Sequence, residues 1–275
     1  MMIFSGVLGY PVERSLSIPI HNFWLQQLKL DAAYLPLSVP GDQLAQALSG
    51  LRVLGFTGAT VAAPHKDNII PLLDGVHPTA QRVRSVNLLV RQPDGRWLGD
   101  STEGAGFLAA LQQQAPQWHK QKPAMVLGAG GAARIVSDAL HQAGVPEIRV
   151  VNRTADRITQ LAQELGIPLT ALDWSQAEAA LSECGLLVNT TSLGMIGQPE
   201  LPLRLERLPL DAVVFDLIYQ PALTPLLKQA LLHGQIAING LDMLLHQAVP
   251  GFAAWFGHTP VVSPDLRQHI EAVLS

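Results

Sequence analysis

Apolar residues along the chain fall into short solid blocks, and between the blocks they recur three and four positions apart. The first pattern marks buried strands and the second amphipathic helices. FSGVLGY (4–10) predicts a strand, and SIPIHNFWLQQLKL (17–30) predicts a helix with Ser17 as its N-cap and Pro19 in its first turn. AAYLPLSV (32–39) predicts a strand, GDQLAQALSGLRVLG (41–55) a helix and GFTGATVA (55–62) a strand. This β-α-β-α-β succession implies a mostly parallel sheet with helices on its faces. SVNLLVRQPDGRWLGDST (85–102) differs, with two apolar runs around the turn signal QPDG, and predicts a hairpin at a sheet edge.

A second rhythm begins near residue 122. KPAMVLGAGGAARIVSDALHQAGVPEIRVVNRT (122–154) predicts strand, glycine turn, helix and strand. DRITQLAQELG (156–166) predicts a helix, GLLVNTTSLGM (185–195) and DAVVFDLIY (211–219) strands, and TPLLKQALLHG (224–234) a helix. The proline-rich stretch around 200–210 predicts a loop, and GLDMLLHQAVPGFAAWFG (240–257) a strongly apolar helix. A boundary is expected near Glu103–Gly106, where the hairpin ends and the helix pattern GFLAALQQQ begins. Pattern alone does not say where the last forty or so residues pack. There is no internal repeat beyond the βα alternation.

The 275 residues suit one large domain or two modest ones, and 48% are hydrophobic against 15% charged. That charged share is below the usual ~25%, so a sizeable core is available. A net charge of -4 without a basic run argues against nucleic acid. The N-terminal MMIFSGVLGYPVERS breaks at Gly and Pro and has no cationic flank, so no secretory signal is expected. No stretch reaches the roughly 18 apolar residues of a membrane span. The single cysteine, Cys184, sits in an apolar run and predicts a buried thiol. Together these features predict a cytoplasmic protein.

The segment VLGAGGAAR places Gly128, Gly130 and Gly131 between an apolar strand and a helix. A tight turn needs the first glycine, and the second lets backbone N–H groups approach a pyrophosphate. The small Ala133 at the third fingerprint position permits close helix–strand packing. The helix N-terminus adds unpaired N–H groups and a positive dipole end. Dinucleotide binding follows, over Gly128, Ala129, Gly130, Gly131 and Ala132. At the end of the next strand, where an NAD site places Asp or Glu against the ribose 2′-OH, this chain reads VVNRTADR. Asn152 replaces the acid, with Arg153, Thr154 and Arg157 after it. A carboxylate would repel a 2′-phosphate, whereas guanidinium binds one bidentately, so NADP is expected.

Lys66, directly after the strand GATVAAPH, is the one lysine of GATVAAPHKDNII (58–70). It reads as a solvated strand-end lysine, a helix-start charge or a catalytic lysine. Beside a nicotinamide site the third reading gains force. Hydride transfer to a ketone leaves an alkoxide, and an ammonium with reference pKa ~10.4 can protonate it.

These motifs, taken in order, resemble the shikimate dehydrogenase family over essentially the whole chain: ERSLSIPIHN, GATVAAPHK, SVN, GDSTEGAGF, GAGGAAR, NRTADR, NTTSLGM, DLIYQPALTPLL and GLDMLLHQA. The resemblance implies an α/β fold of two domains. One is a discontinuous substrate domain with a mostly parallel sheet, residues 1–103 plus 240–275, to which the C-terminal helix returns. The other is a Rossmann-type NADP domain, residues 104–239, with the site in the cleft. It implies Lys66 as proton donor and acceptor with Glu103 as its carboxylate partner. Ser15 and Ser17 would hold the substrate carboxylate, Tyr219 would line that end, and Asn87 and Gln247 would bind ring hydroxyls, with Thr60 nearby. Leu217 and Gly240 would touch the nicotinamide, with Asn189 and Thr190 close by. No metal is implied. The expected partner is a small cyclohexene or cyclohexane carboxylate, and the expected state a monomer or homodimer.

The departures from the family pattern gather where substrate would be recognised. The carboxylate at 103 is Glu rather than Asp, and the upstream Asn and Thr are Thr60 and Ala62. GAVNT becomes RSVNL (84–88), and the junction asparagine becomes Ser101. A site built to hydrogen-bond a hydroxyl discriminates less when a partner is missing. Shikimate dehydrogenation is therefore expected first. Quinate or aminoshikimate dehydrogenation and a non-catalytic NADP-binding homologue are the alternatives. A methylene-tetrahydrofolate dehydrogenase is disfavoured by the two-serine segment and Gln247.

Overall fold

Apolar blocks become strands and amphipathic stretches become helices in the computed structural model, which describes residues 2–274. The first part of the chain runs β1 (Ile3–Gly9), α1 (Ser17–Gln27), β2 (Ala32–Ser38), α2 (Leu44–Val53), β3 (Gly58–Val61), β4 (Gly75–Val76), α3 (Pro78–Val83), β5 (Leu88–Arg91) and β6 (Trp97–Asp100). It continues with α4 (Glu103–Gln114), β7 (Ala124–Leu127), α5 (Gly131–Gln142), β8 (Ile148–Val151), α6 (Ala155–Leu165), β9 (Thr170–Leu172), α7 (Trp174–Ala180) and β10 (Leu186–Asn189). The last elements are β11 (Val213–Asp216), α8 (Pro225–Leu232), β12 (Ile236–Asn239), α9 (Gly240–Phe256) and α10 (Pro264–Leu274). Two compact units emerge, residues 1–103 with 247–275 and residues 104–246. The helix α9 therefore begins in the second unit and ends in the first.

The first unit carries a six-stranded sheet in the order β2-β1-β3-β5-β6-β4. Three of its pairings are parallel and two antiparallel, the latter joining β5 to β3 and to β6. One face packs Leu8, Ala59, Val61, Leu89 and Trp97 against Leu44 and Leu48 of α2. The opposite face is covered by α1 and the end of α9, where Trp255 donates its indole N–H to Leu89 O at 2.8 Å. The last helix α10 packs on α1, with Phe23 and His269 rings 5.3 Å apart. Residues 247–274 thus find their place through aromatic contacts of long sequence separation, which periodicity does not encode.

Two local expectations are corrected. Ser17 is the first helical residue rather than the N-cap; Leu16 precedes it in αR geometry, with no side-chain cap. The Ser15 hydroxyl, 3.3 Å from Ser17 N, takes that backbone donor instead. The β5–β6 hairpin is not the sheet edge, because two-residue β4 pairs beyond β6. So short a strand has no periodicity to detect.

The second unit is an all-parallel six-stranded sheet, order β12-β11-β10-β7-β8-β9. The strand order reverses between β7 and β10, the switch point where doubly wound sheets bind ligands. The central strands β7, β10 and β11 are buried throughout, as expected of a sheet covered on both faces. The 200–210 stretch lacks regular structure, but buried Leu203, Leu205 and Leu208 hold it on the core. Cys184 is a buried free thiol whose pKa burial pushes up to about 11. No helix among the described residues is long and apolar enough to cross a membrane.

Candidate active site

In the first unit, β3 runs out through Pro64 and delivers Lys66 beside the start of α4. The Lys66 ammonium lies 2.7 Å from Glu103 Oε1, with the lysine side chain 35% exposed and the glutamate 11%. The lysine is anchored by its own backbone, since Val86 N donates to Lys66 O at 2.7 Å. Of the three readings open for an isolated lysine, the ion pair with a buried carboxylate removes the solvated one. The extra methylene of Glu103 leaves the pair intact. Its other oxygen, Oε2, is buried without a partner, so the carboxylate can still accept a hydrogen bond.

Behind this pair stands a polar ladder. Thr102 N donates to Asn87 Oδ1 at 2.7 Å, and Asn87 Nδ2 donates to Thr102 Oγ1 at 2.9 Å. The Thr102 hydroxyl in turn donates to Gln247 O at 2.8 Å. Asn87 is 5% exposed, and its carbonyl oxygen is already engaged. Thr102 takes one Oδ1 lone pair and one Nδ2 hydrogen, which leaves one donor and one acceptor position on the amide. Gln247 is half-buried on α9. Ser15 and Ser17 are both half-buried around buried Leu16. Thr60 does not stand alone: the Tyr34 hydroxyl donates to its Oγ1 at 2.6 Å. Sequence reasoning missed both Tyr34 and Thr102.

In the second unit, Gly128 ends β7 with φ +105°, a conformation that excludes a side chain; a Cβ there would also stand 2.8 Å from Thr190 Oγ1. Gly130 caps α5, and neither Gly130 nor Gly131 has any atom within 4 Å of where a Cβ would be. Ala133, fully buried, makes the close helix–strand contact that the fingerprint requires. Ala129 and Ala132 are half-buried on the same turn. A cavity of about 520 Å³ opens over this turn and is also lined by Asn152, Arg153, Arg157 and Thr190. No carboxylate lines it. Asn152 donates its Nδ2 to Thr154 O at 2.9 Å, which folds the Asn-Arg-Thr turn. A glycine cradle at a helix N-terminus with two guanidinium groups and no acid fits the pyrophosphate and 2′-phosphate of NADP. Trp174, at the start of α7, also lines the cavity; its place there was not legible because α7 lies well beyond the motif.

A second cavity, about 610 Å³, is lined by Thr190, Thr191, Leu217, Ile218, Tyr219 and Met195, among others. Burial raises the Tyr219 phenol above its ordinary pKa. The loops around this cavity are held by Asp216. Its Oδ1 accepts from Asn189 Nδ2 at 3.0 Å and Ile218 N at 3.1 Å, and its Oδ2 from Thr224 Oγ1 at 2.7 Å. Asn189 also donates to Leu193 O, and its Oδ1 accepts from Thr191 N and Oγ1. Its side chain is thus fully committed. These hydrogen bonds make the Asn189 side chain the holder of its loop. Thr190 directs its hydroxyl to Leu127 O at 2.6 Å. Gly240 opens α9 with its N–H on Ile218 O at 3.0 Å.

A Rossmann cradle that accommodates a 2′-phosphate, in a chain that also holds a lysine–carboxylate pair, defines an NADP-dependent oxidoreductase. Residues 7–89 match the shikimate dehydrogenase substrate binding domain, and residues 110–196 match the shikimate / quinate 5-dehydrogenase family. The NADP(+) shikimate dehydrogenase of Paramagnetospirillum magneticum is 48% identical over 97% of this chain and 97% of its own. The Thermus thermophilus shikimate 5-dehydrogenase, solved with NADP(H) and shikimate, is 36% identical with a TM-score of 0.86, covering 99% of this chain and 100% of its own. Quinate dehydrogenase from Corynebacterium glutamicum, solved with NAD, is 27% identical with a TM-score of 0.91, covering 98% and 99%. The chain belongs to the shikimate dehydrogenase family.

Proposed function

We propose that the chain interconverts shikimate and 3-dehydroshikimate with NADP(H). The observation that carries this reading is the 2.7 Å contact between Lys66 and Glu103, which a protein that only bound the dinucleotide would not need. When bound, NADP(H) supplies or accepts the hydride. Lys66 gives a proton to the substrate oxygen during reduction and takes it back during oxidation. Glu103 keeps the ammonium in place through Oε1 and accepts from a neighbouring ring hydroxyl through Oε2. Ser15 and Ser17 donate to the substrate carboxylate, the remaining Asn87 hydrogen and the Gln247 amide hold ring hydroxyls, and Tyr219 lines the carboxylate end. On the cofactor side, Gly128 to Ala132 admit the pyrophosphate, and Asn152, Arg153, Thr154 and Arg157 take the 2′-phosphate. Leu217, Gly240 and Thr190 border the nicotinamide. The substrate is a small ring carboxylate. The single buried free thiol supports a cytoplasmic setting.

Steady-state kinetics with shikimate, quinate and aminoshikimate, each with NADP and with NAD, test this reading. The highest kcat/KM is expected for shikimate with NADP. A higher value for quinate or aminoshikimate would reassign the substrate. Absence of turnover with all three would leave a dinucleotide-binding homologue.

A further inference from the structure

Between the first sheet and the helices α1 and α9 lies a cluster of rings, His21, Trp24, Tyr34, Phe252 and Trp255. Tyr34 lies among them, 2% exposed, on the edge strand β2. The His21 ring stacks on it at 4.1 Å and 21°, and Trp255 lies 5.8 Å away. Room for this stack comes from small residues. Tyr34 pairs in register with Ser5 on β1, whose hydroxyl donates to Gly58 O. A Cβ on Gly58 would stand 2.1 Å from Trp255 Nε1.

Strand β1 separates β2 from β3, and the register sets Tyr34 level with Ser5 and Gly58, so Thr60 lies two strands across and two residues along from Tyr34, about 12 Å at ordinary strand spacing and rise. The tyrosine side chain crosses β1 and places its hydroxyl 2.6 Å from Thr60 Oγ1. Burial pushes the phenol pKa well above its ordinary value, and the hydrogen bond with Thr60 draws it partly back. A buried tyrosine needs some partner for its hydroxyl, and a backbone carbonyl would serve. Here the partner is instead the side chain of Thr60, which the family resemblance sets beside the ring hydroxyls of the substrate.

We infer that Tyr34 is a positioning residue for substrate binding: from inside the aromatic layer its hydroxyl orients Thr60, fixing that hydroxyl toward the ring of the substrate. The inference rests on the proposed reaction. It assigns Tyr34 no contact with substrate and no part in proton transfer.

Tyr34→Phe removes one oxygen and keeps the ring on His21. The KM for shikimate should rise about tenfold, the scale of one lost hydrogen bond. The kcat should stay within about threefold and the KM for NADP should not change. Thr60→Val breaks the same contact from the other side, and the double variant should be no worse than the weaker-binding single variant, because one interaction cannot be lost twice. An unchanged KM for shikimate in Tyr34→Phe, additive effects in the double variant, or parallel loss of melting temperature and of both KM values would each overturn the inference. Failure of the unaltered protein to turn over shikimate would instead overturn the proposed function, and this inference with it.

Discussion

Arg153 stands exposed at a cavity whose lining contains no carboxylate. Its guanidinium can meet a 2′-phosphate but has nothing comparable to grip on a free 2′-hydroxyl. Arg153→Ala should therefore raise the KM for NADP by about tenfold or more, the range of a charge-assisted hydrogen bond, while moving that for NAD by less than about twofold. Equal effects on the two cofactors would contradict the phosphate role. This part of the site was legible because it is local: Asn152, Arg153 and Arg157 follow one strand within a single turn. Lys66 was visible too, but its meaning was not. The carboxylate that distinguishes it from a solvated lysine lies 37 residues away. Tyr34 was hidden for a similar reason, since its partner belongs to a strand with which its own does not pair.

At the scale of elements, the glycine turn, its flanking strands and α5 followed directly from pattern. The loops after β10 and β11 did not. Their shape depends on Asp216, which gathers Asn189, Ile218 and Thr224 from three segments. Periodicity marks where strands β10 and β11 end but not which side chains tie the ends together. That network has a pH signature. Burial pushes Asp216 up to about 6 even though its hydrogen bonds favour the charged form. The folded protein thus holds this proton more tightly than the unfolded chain, whose carboxyl titrates near ~3.9. By linkage, the contribution of Asp216 to stability falls as pH rises from about 4 to 6 and is level above, by on the order of 3 kcal/mol. Denaturant titrations across that range should show the decline as the difference between the unaltered protein and Asp216→Asn. A difference that does not vary with pH would contradict it.

For the molecule as a whole, the class of fold was readable because both units alternate strands with helices, and the fully parallel second sheet shows it most plainly. The division of the chain was harder. A single helix, α9, begins in one unit and ends in the other, so no change of composition marks the passage. The substitutions at 62, 101 and 103 also take their meaning at this scale. Glu103 keeps the ion pair with Lys66 and retains an unpartnered oxygen, so both groups that the proposed proton transfer needs are in place. Ser101, buried with its hydroxyl unpartnered, marks a part of the site that differs from the family pattern. The central claim is that Lys66 handles the substrate proton in an NADP-linked oxidation. Lys66→Ala, assayed for shikimate oxidation alongside direct NADP binding, tests it most directly. Turnover should fall by at least about a hundredfold with NADP affinity unchanged. Turnover within a few-fold of the unaltered protein would contradict the account.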